Sequence, residues 1–229
     1  MCGRYTLAAT QEQLTEEFDL VEAEPLRPRF NIAPTQMVPV VRALDDKNKR
    51  QLDLLRWGLV PRWAKDPSIG NRMINARSEQ AAVKPAFRTP LRRQRCLVPC
   101  TGFYEWKQLE TGTGSKRRKQ PYFIRRRDER VFAFAGLWEH WQGPTEQAID
   151  SFTILTTKPN GLIHPLHDCM PVIISPDDYE LWLDPNVQDV ERLQPFLRPL
   201  PSEELTAHAV SPRVNSPAHD DPACIEAVA

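Results

Sequence analysis

The sequence predicts an α+β fold in a single domain. Strand-like runs follow one another along most of the chain, with short helical patterns between them and near the ends. That order suits an α+β protein better than a doubly wound parallel sheet. Twenty-two Pro are spread along the chain against nine Gly, so many irregular connections are expected rather than one linker. With 229 residues, 41% hydrophobic content, six Trp and nine Phe, the chain can bury a real core and is not disordered throughout.

The elements follow in order. Residues 11–19 read as a short helix, with Thr10 as N-cap and Leu14 and Phe18 four apart on one face. Residues 38–42 and 52–59 read as strands, the second ending at Trp57-Gly58. Residues 77–82 begin a helix that Pro85-Ala86-Phe87 continues or caps. Strands are expected at 95–98, 102–107, 121–126, 131–138 and 151–156. A further strand at 172–174 precedes Ser175-Pro176-Asp177-Asp178, which caps a helix through Tyr179, Leu181 and Trp182. Residues 191–197 add a helical turn.

Several function classes lose support at once. No stretch approaches ~20 apolar residues, so no membrane span is expected. The start lacks a basic region followed by an apolar one, so it does not read as a signal peptide. No glycine-rich nucleotide-cradling loop is present. Thirty Lys and Arg balance thirty Asp and Glu, yet the balance is uneven along the chain. Residues 84–127 hold thirteen Lys and Arg against Glu105 and Glu110, a net +11. Residues 176–229 hold eleven acids against three bases, a net −8. A basic middle can form a footprint for a polyanion. At the tip 112–119 a solvated hairpin explains the charge as well, whereas Arg88 to Arg95 interleave with apolar residues.

Cys2, Cys96, Cys100, Cys169 and Cys224 are an odd number, which points to free thiols in a reducing cytosol. Cys96 and Cys100, with His164, His167 and Cys169, match no compact zinc spacing, so no metal or other cofactor is expected. Cys96 reads as a small buried hydrophobe. Cys2 is different. Methionine is normally clipped before a small residue, so the mature chain should begin with an amine and a thiol on one residue. Their reference pKa values, near ~7.7–8.0 and ~8.5, put both nucleophilic forms within reach at neutral pH. Such a residue can act as a terminal-nucleophile hydrolase, its amine serving its own thiol as base. It can also condense with an aldehyde, first as a Schiff base and then as a five-membered thiazolidine. A Cys simply tucked in near a terminus is the third possibility.

Seven blocks of residues run in order along the chain. They are Met1-Cys2-Gly3-Arg4-Tyr5, Phe30-Asn31-Ile32-Ala33-Pro34-Thr35-Gln36, and Trp57-Gly58-Leu59-Val60-Pro61-Arg62-Trp63-Ala64-Lys65. Next come Ile74-Asn75-Ala76-Arg77-Ser78-Glu79, Arg95-Cys96-Leu97-Val98-Pro99 and Gly102-Phe103-Tyr104-Glu105-Trp106. The last is His167-Asp168-Cys169-Met170-Pro171-Val172-Ile173. Together they resemble the SOS-response-associated peptidase (SRAP) family. The resemblance runs to about residue 213, leaving 214–229 as a tail on a single domain. It implies a curved, barrel-like, mostly antiparallel sheet core flanked by short helices. It also implies a covalent thiazolidine link between the terminal Cys and abasic sites in single-stranded DNA, which shields the lesion. Autocatalytic loss of Met1 gives such proteins their peptidase name. The partner expected is therefore single-stranded DNA with abasic sites, with no membrane and no metal. The protein is expected as a cytoplasmic monomer, at the nucleoid in a bacterium or in the nucleus of a eukaryote.

The resemblance places catalytic roles on Cys2, Asn75, Glu105 and His167. A carboxyl between Tyr104 and Trp106 suits a raised pKa and proton shuttling while the sugar opens and the carbinolamine dehydrates. Without the resemblance, Glu105 reads as a strand-edge acid paired with Lys107 or an Arg. Asn75 can hold the amine or a sugar hydroxyl; otherwise it is a turn Asn. His167 can donate to the opened sugar or a phosphate and relay protons; otherwise it is a core His. The motifs put Arg4, Asn31 and Arg77 near Cys2 as phosphate contacts, and Thr156 as a hydroxyl contact. Pro34 and Trp63 match an apolar pair on which bases stack, while Trp57 reads as core. Cys169 departs from the family's usual Arg, Cys100 stands where Ala is common, and Arg62 precedes Trp63 where some members carry a second Trp. A terminal-cysteine amidohydrolase of the glutaminase type is the alternative, and a non-catalytic binder of modified DNA bases is a third class.

Overall fold

The computed structural model describes residues 2–22, 24–44, 49–109, 118–144 and 147–228. Its strands in chain order are β1 (Tyr5–Leu7), β2 (Arg29–Ile32), β3 (Met37–Ala43), β4 (Arg50–Trp57) and β5 (Asn75–Arg77). Then come β6 (Arg95–Cys100), β7 (Gly102–Gln108), β8 (Lys119–Arg126), β9 (Phe132–Gln142) and β10 (Ala148–Thr157). The last three are β11 (Met170–Pro171), β12 (Ile173–Ile174) and β13 (Leu205–Ala209). The helices are short: α1 (Gln11–Phe18), α2 (Ser78–Ala81), α3 (Arg88–Arg93), α4 (Tyr179–Leu183) and α5 (Val190–Leu193).

Five strands close on themselves. β10 pairs with β4, β4 with β3, β3 with β6, β6 with β9, and β9 back with β10. All are antiparallel except the β10–β4 contact, which is parallel. Closure removes free edges and lets the inward side chains fill a core. β6 is buried along its whole length, as expected of a strand covered on both faces. A second sheet runs in the order β13-β8-β7-β1-β2. Tyr5 of β1 joins the two layers: its ring meets Trp57 at 5.2 Å and Phe134 at 5.9 Å, both edge to face. The fold is thus α+β with a curved, barrel-like core.

Most elements lie where the residues suggest. Thr10 caps α1 with a full capping box, and Leu14 and Phe18 are its buried face. Phe18 stacks on Tyr179 of α4 at 5.4 Å. Trp57 is fully buried, as are Cys96 and Cys100. Three expectations change. The helix at 77–82 is the single turn α2, and a separate α3 begins after Pro85, with Pro90 in its tolerant first turn. The strand at 172–174 is split between β11 and β12, and Ser175 offers its neighbours no side-chain cap. The segment expected as a tail is docked: Val214 and Cys224 are buried, and Val210 bridges Ala227. The charged tip at 112–119 lies largely outside the described residues. Among the described residues, no helix is long and apolar enough to cross a membrane.

Arg95 shows how local folding consumes charge. It is 3% exposed, and its guanidinium donates to the carbonyls of Leu91 (2.7 Å), Arg92 (2.8 Å), Trp182 (2.5 Å) and Asp184. It closes the ends of α3 and α4, satisfying carbonyls that each helix leaves open. Burial lowers its pKa to about 10.

Candidate active site

The site forms where the chain start meets β7, β5 and the loop ahead of β11. The start is aligned by main-chain bonds: Tyr5 lies opposite Phe103, and Tyr104 N donates to Arg4 O at 3.0 Å. This sets Cys2 and Gly3 against the part of β7 that carries Glu105. Asn75 opens β5, which pairs in parallel with β10 through Asn75↔Ile154, Ala76↔Leu155 and Arg77↔Thr156. Trp57 fixes that entry point, donating from Nε1 to Ile74 O at 2.9 Å. Asn75 therefore sits on a strand, not in a turn.

Cys2 is fully buried, and its thiol approaches Arg4 O at 3.8 Å. Asn75 Nδ2 donates to Cys2 O at 2.8 Å. Two acceptors in this pocket, Asn75 Oδ1 and Glu105 Oε1, are buried with no hydrogen-bond partner among the described residues. Native proteins leave few such atoms, because each costs about 1–3 kcal/mol of unrecovered desolvation. Glu105 is 1% exposed. Burial, reinforced by the negative charge of Asp168, pushes its carboxyl up to about 7. The Cys2 thiol is pushed well above its usual value by burial and then by Glu105. This corrects the expectation of a readily available thiolate: the proton must have somewhere to go, and Glu105 is the titrating neighbour.

His167 is partly open, and burial holds its imidazole below the usual value. Its Nδ1 lies 2.9 Å from an Asp168 carboxylate oxygen, 3.2 Å from Cys169 N and 3.4 Å from Cys169 Sγ. The ligand-type atoms of His167, Asp168 and Cys169 lie within 4.8 Å of one another. Three donors from consecutive residues, one of them already accepting a backbone N–H, do not make a closed tetrahedral set. Asp168 joins the site although no motif role falls on it; its place beside His167 is the available sequence signal. His167 chiefly, and Arg77 also, hold its carboxyl below the usual range.

The other candidates separate into open and closed groups. Trp63 is 56% exposed, on a loop held by Trp141 Nε1 donating to Ala64 O at 2.7 Å. Gly58 starts that loop at φ 125°, where a Cβ would come 2.5 Å from Gly70 O. Pro34 is half-buried in a turn pinned to the same Trp57, since Thr35 N donates to Trp57 O at 2.8 Å. Arg77 is exposed.

Asn31 and Thr156 are both buried in this structure. Thr156 is 1% exposed near the end of β10, flanked by Arg77 of β5 and Pro171 of β11, so its hydroxyl does not face solvent. Asn31 is fully buried and spent on structure: Nδ2 donates to Val214 O (3.1 Å), Ser216 O (2.9 Å) and His219 O (2.7 Å). Its Oδ1 accepts from Arg4 Nη1 at 2.8 Å. Arg4 also donates to Val214 O (2.7 Å) and Asn215 O (3.0 Å). Asp220 completes this latch by accepting from Arg29, from Phe30 N (2.5 Å) and from Asn31 N (2.8 Å). In this structure Arg4 and Asn31 hold the C-terminal segment rather than face outward to a phosphate. Only the acidic charge of that segment was visible in the sequence.

Residues 1–217 match the family described as SOS response associated peptidase (SRAP). The chain is 41% identical over 229 residues to the abasic site processing protein YoqW of Bacillus subtilis (strain 168), covering 99% of each chain. It is 39% identical over 230 residues to the abasic site processing protein YoaM of the same organism, covering 99% of this chain and 98% of that one. An X-ray crystal structure of a protein from Bacteroides thetaiotaomicron is similar with a TM-score of 0.85 and 26% identity, over 100% of both chains. The chain therefore belongs to the SOS response associated peptidase family.

Proposed function

We propose that this chain processes abasic sites by forming a covalent thiazolidine between Cys2 and the ring-opened aldehyde in single-stranded DNA. The observation that carries the reading is the pair of unpartnered buried acceptors, Asn75 Oδ1 and Glu105 Oε1, beside an N-terminal Cys. The amine freed by loss of Met1 is a donor of the kind both atoms lack.

The steps balance. The Cys2 amine adds to the aldehyde carbon to give a carbinolamine, which loses one water to form an imine. The thiol sulfur then adds to that carbon, and the thiol proton ends on nitrogen. The net change is aldehyde plus aminothiol to thiazolidine plus water. Glu105, with its pKa near 7, is divided between both forms at neutral pH. Its protonated form donates to the departing hydroxyl, and its ionised form accepts the thiol proton. The positive charge of a protonated imine further favours the thiolate at that moment. His167, partly open beside Asp168, supplies an imidazole donor to the opened sugar oxygen. Asn75 holds the Cys2 carbonyl and thus the direction of the amine.

Removal of Met1 belongs to the same proposal, because an acylated amine cannot form the imine. Hydrolysis adds water across the Met1–Cys2 amide and releases methionine. Glu105→Ala is expected to retain Met1 if the pocket performs this step, as intact mass will show. The reading is tested with single-stranded DNA bearing one abasic site. A heat-resistant shift on a denaturing gel is expected for wild type and not for Cys2→Ala. No shift for wild type, or an equal shift for both, would refute it.

A further inference from the structure

We propose that the outer face of α3, together with Arg62, is a phosphate-binding ridge for nucleic acid flanking the lesion, continuing the track beyond Trp63. The proposal rests on the reading of the Cys2 pocket as a DNA-lesion site.

α3 buries Pro90 and Leu91 and presents Arg88, Arg92 and Arg93 to solvent. Arg88 and Arg92 are four residues apart on one helical face, where like charges repel by about 0.2–0.5 kcal/mol. Among the described residues, the side chains of Arg62, Arg88, Arg92 and Arg93 make no hydrogen bond or ion pair. Several other arginines are engaged: Arg29 by Asp220, Arg42 by Asp53, Arg126 by Asp128 and Glu204. The contrast extends to Arg95, two residues beyond Arg93, whose guanidinium is buried on four carbonyls. The basic run thus divides into a structural member and an outward set with unspent donors.

The outward set is continuous with the stacking loop. A shallow cavity of about 390 Å³ is lined by Arg62, Thr89 and Arg93, and a neighbouring one of about 410 Å³ by Arg88, Thr89 and Arg92. Thr89 lines both, so the cavities adjoin. Arg62 carries the track directly to exposed Trp63. Glu139 and His140 also line the first cavity. Glu139 is 5% exposed and accepts from Gln94 Nε2 at 3.1 Å, and His140 is paired with Asp150 at 2.7 Å. Neither occupies the arginines. Forked cationic donors beside an exposed aromatic suit a phosphodiester backbone. That backbone belongs either to the single strand or to a duplex arm beside it.

The test compares wild type with the triple variant Arg88→Gln, Arg92→Gln, Arg93→Gln, chosen because Gln keeps helix propensity. Fluorescence anisotropy follows binding to three undamaged labelled probes: a strand just covering the pocket, an extended strand, and the short strand joined to a duplex arm. Thermal unfolding checks that the variant folds. The variant is expected to bind an extended probe roughly ten-fold more weakly at low salt, with a log–log salt slope shallower by about 2 for three lost contacts. The probe that shows the loss identifies the source of the backbone. Crosslinking of a short lesion-bearing strand at saturation should be unchanged. Equal affinity and slope on both extended probes would overturn the proposal. If wild type fails to crosslink while the arginine-dependent slope persists, the reading of Cys2 fails and the ridge stands.

Discussion

Cys2 and Arg4 are two residues apart, yet they enter opposite kinds of environment. Around Cys2, Asn75 and Glu105 bury acceptors that nothing in the described residues satisfies. Around Arg4 the buried polar groups are paired: Asn31 makes four side-chain hydrogen bonds, and Asp220 binds Arg29 and two backbone N–H groups. Burial is similar in both places, since Cys2 and Asn31 are each 0% exposed. Satisfaction is what differs. Satisfied buried polar groups specify and stabilise a fold. Unsatisfied ones cost stability and persist where a ligand or reaction supplies the missing partner. The same contrast separates Arg95 from the open arginines of α3.

Substitutions can break this comparison. The largest effect is expected at Cys2: Cys2→Ala should abolish the covalent product while shifting Tm only slightly. Glu105→Gln follows. Without a titrating carboxyl, crosslinking should slow about 10²–10³-fold. Stability should move the other way, and its sign follows from the direction of the shift. The folded-state pKa, about 7 against a usual 4.5, is raised, so the protonated form is favoured by folding. That contribution is fully present below about pH 4.5 and lost as pH rises through 7. Glu105→Gln is therefore expected to match wild type near pH 4 and to exceed it by about 3 kcal/mol at pH 8, measured by denaturant unfolding. A variant that is less stable at pH 8 would mean that the carboxylate is structurally satisfied and the contrast false.

The latch should respond in the opposite way. Asp220→Ala strips the acceptor from Phe30 N and Asn31 N, with an expected loss of about 2–3 kcal/mol. Crosslinking by the folded variant should stay within about two-fold of wild type, corresponding to under about 0.5 kcal/mol in the barrier. A rate loss as deep as that of Glu105→Gln would move Asp220 into the reaction. The smallest effect is expected at Trp63, which is exposed and therefore contributes little to stability. Trp63→Ala should weaken binding of undamaged strand by about 1–2 kcal/mol, by anisotropy, with Tm unchanged.

How much of this was legible in the sequence follows the same line. Long or strongly patterned elements were: the N-cap of α1, the apolar run of β6, and the apolar, aromatic-rich stretches of β9 and β10. The strands β1, β2, β5 and β13 have three to five residues each, too few for alternation to show. They exist because neighbouring strands complete their hydrogen bonds. α3 was missed because six residues with Pro at the third give no periodic signal. The candidate pocket was legible because its residue types carry recognisable chemistry within ordered motifs. The latch was not, because Asn31 meets Val214 and His219 across more than 180 positions of chain. Nothing local in an Asn says which carbonyls will claim its amide. A motif places Asn31 near Cys2, and the fold engages its amide with Arg4 and the C-terminal segment.

The most direct measurement is intact mass spectrometry of the purified protein after reaction with single-stranded DNA carrying one abasic site. The expected adduct equals the chain without Met1 plus the DNA minus one water, and it survives heating without prior reduction. An adduct on a chain that keeps Met1, a link trapped only after borohydride reduction, or unreacted DNA beside Met1-free protein would contradict thiazolidine formation at Cys2.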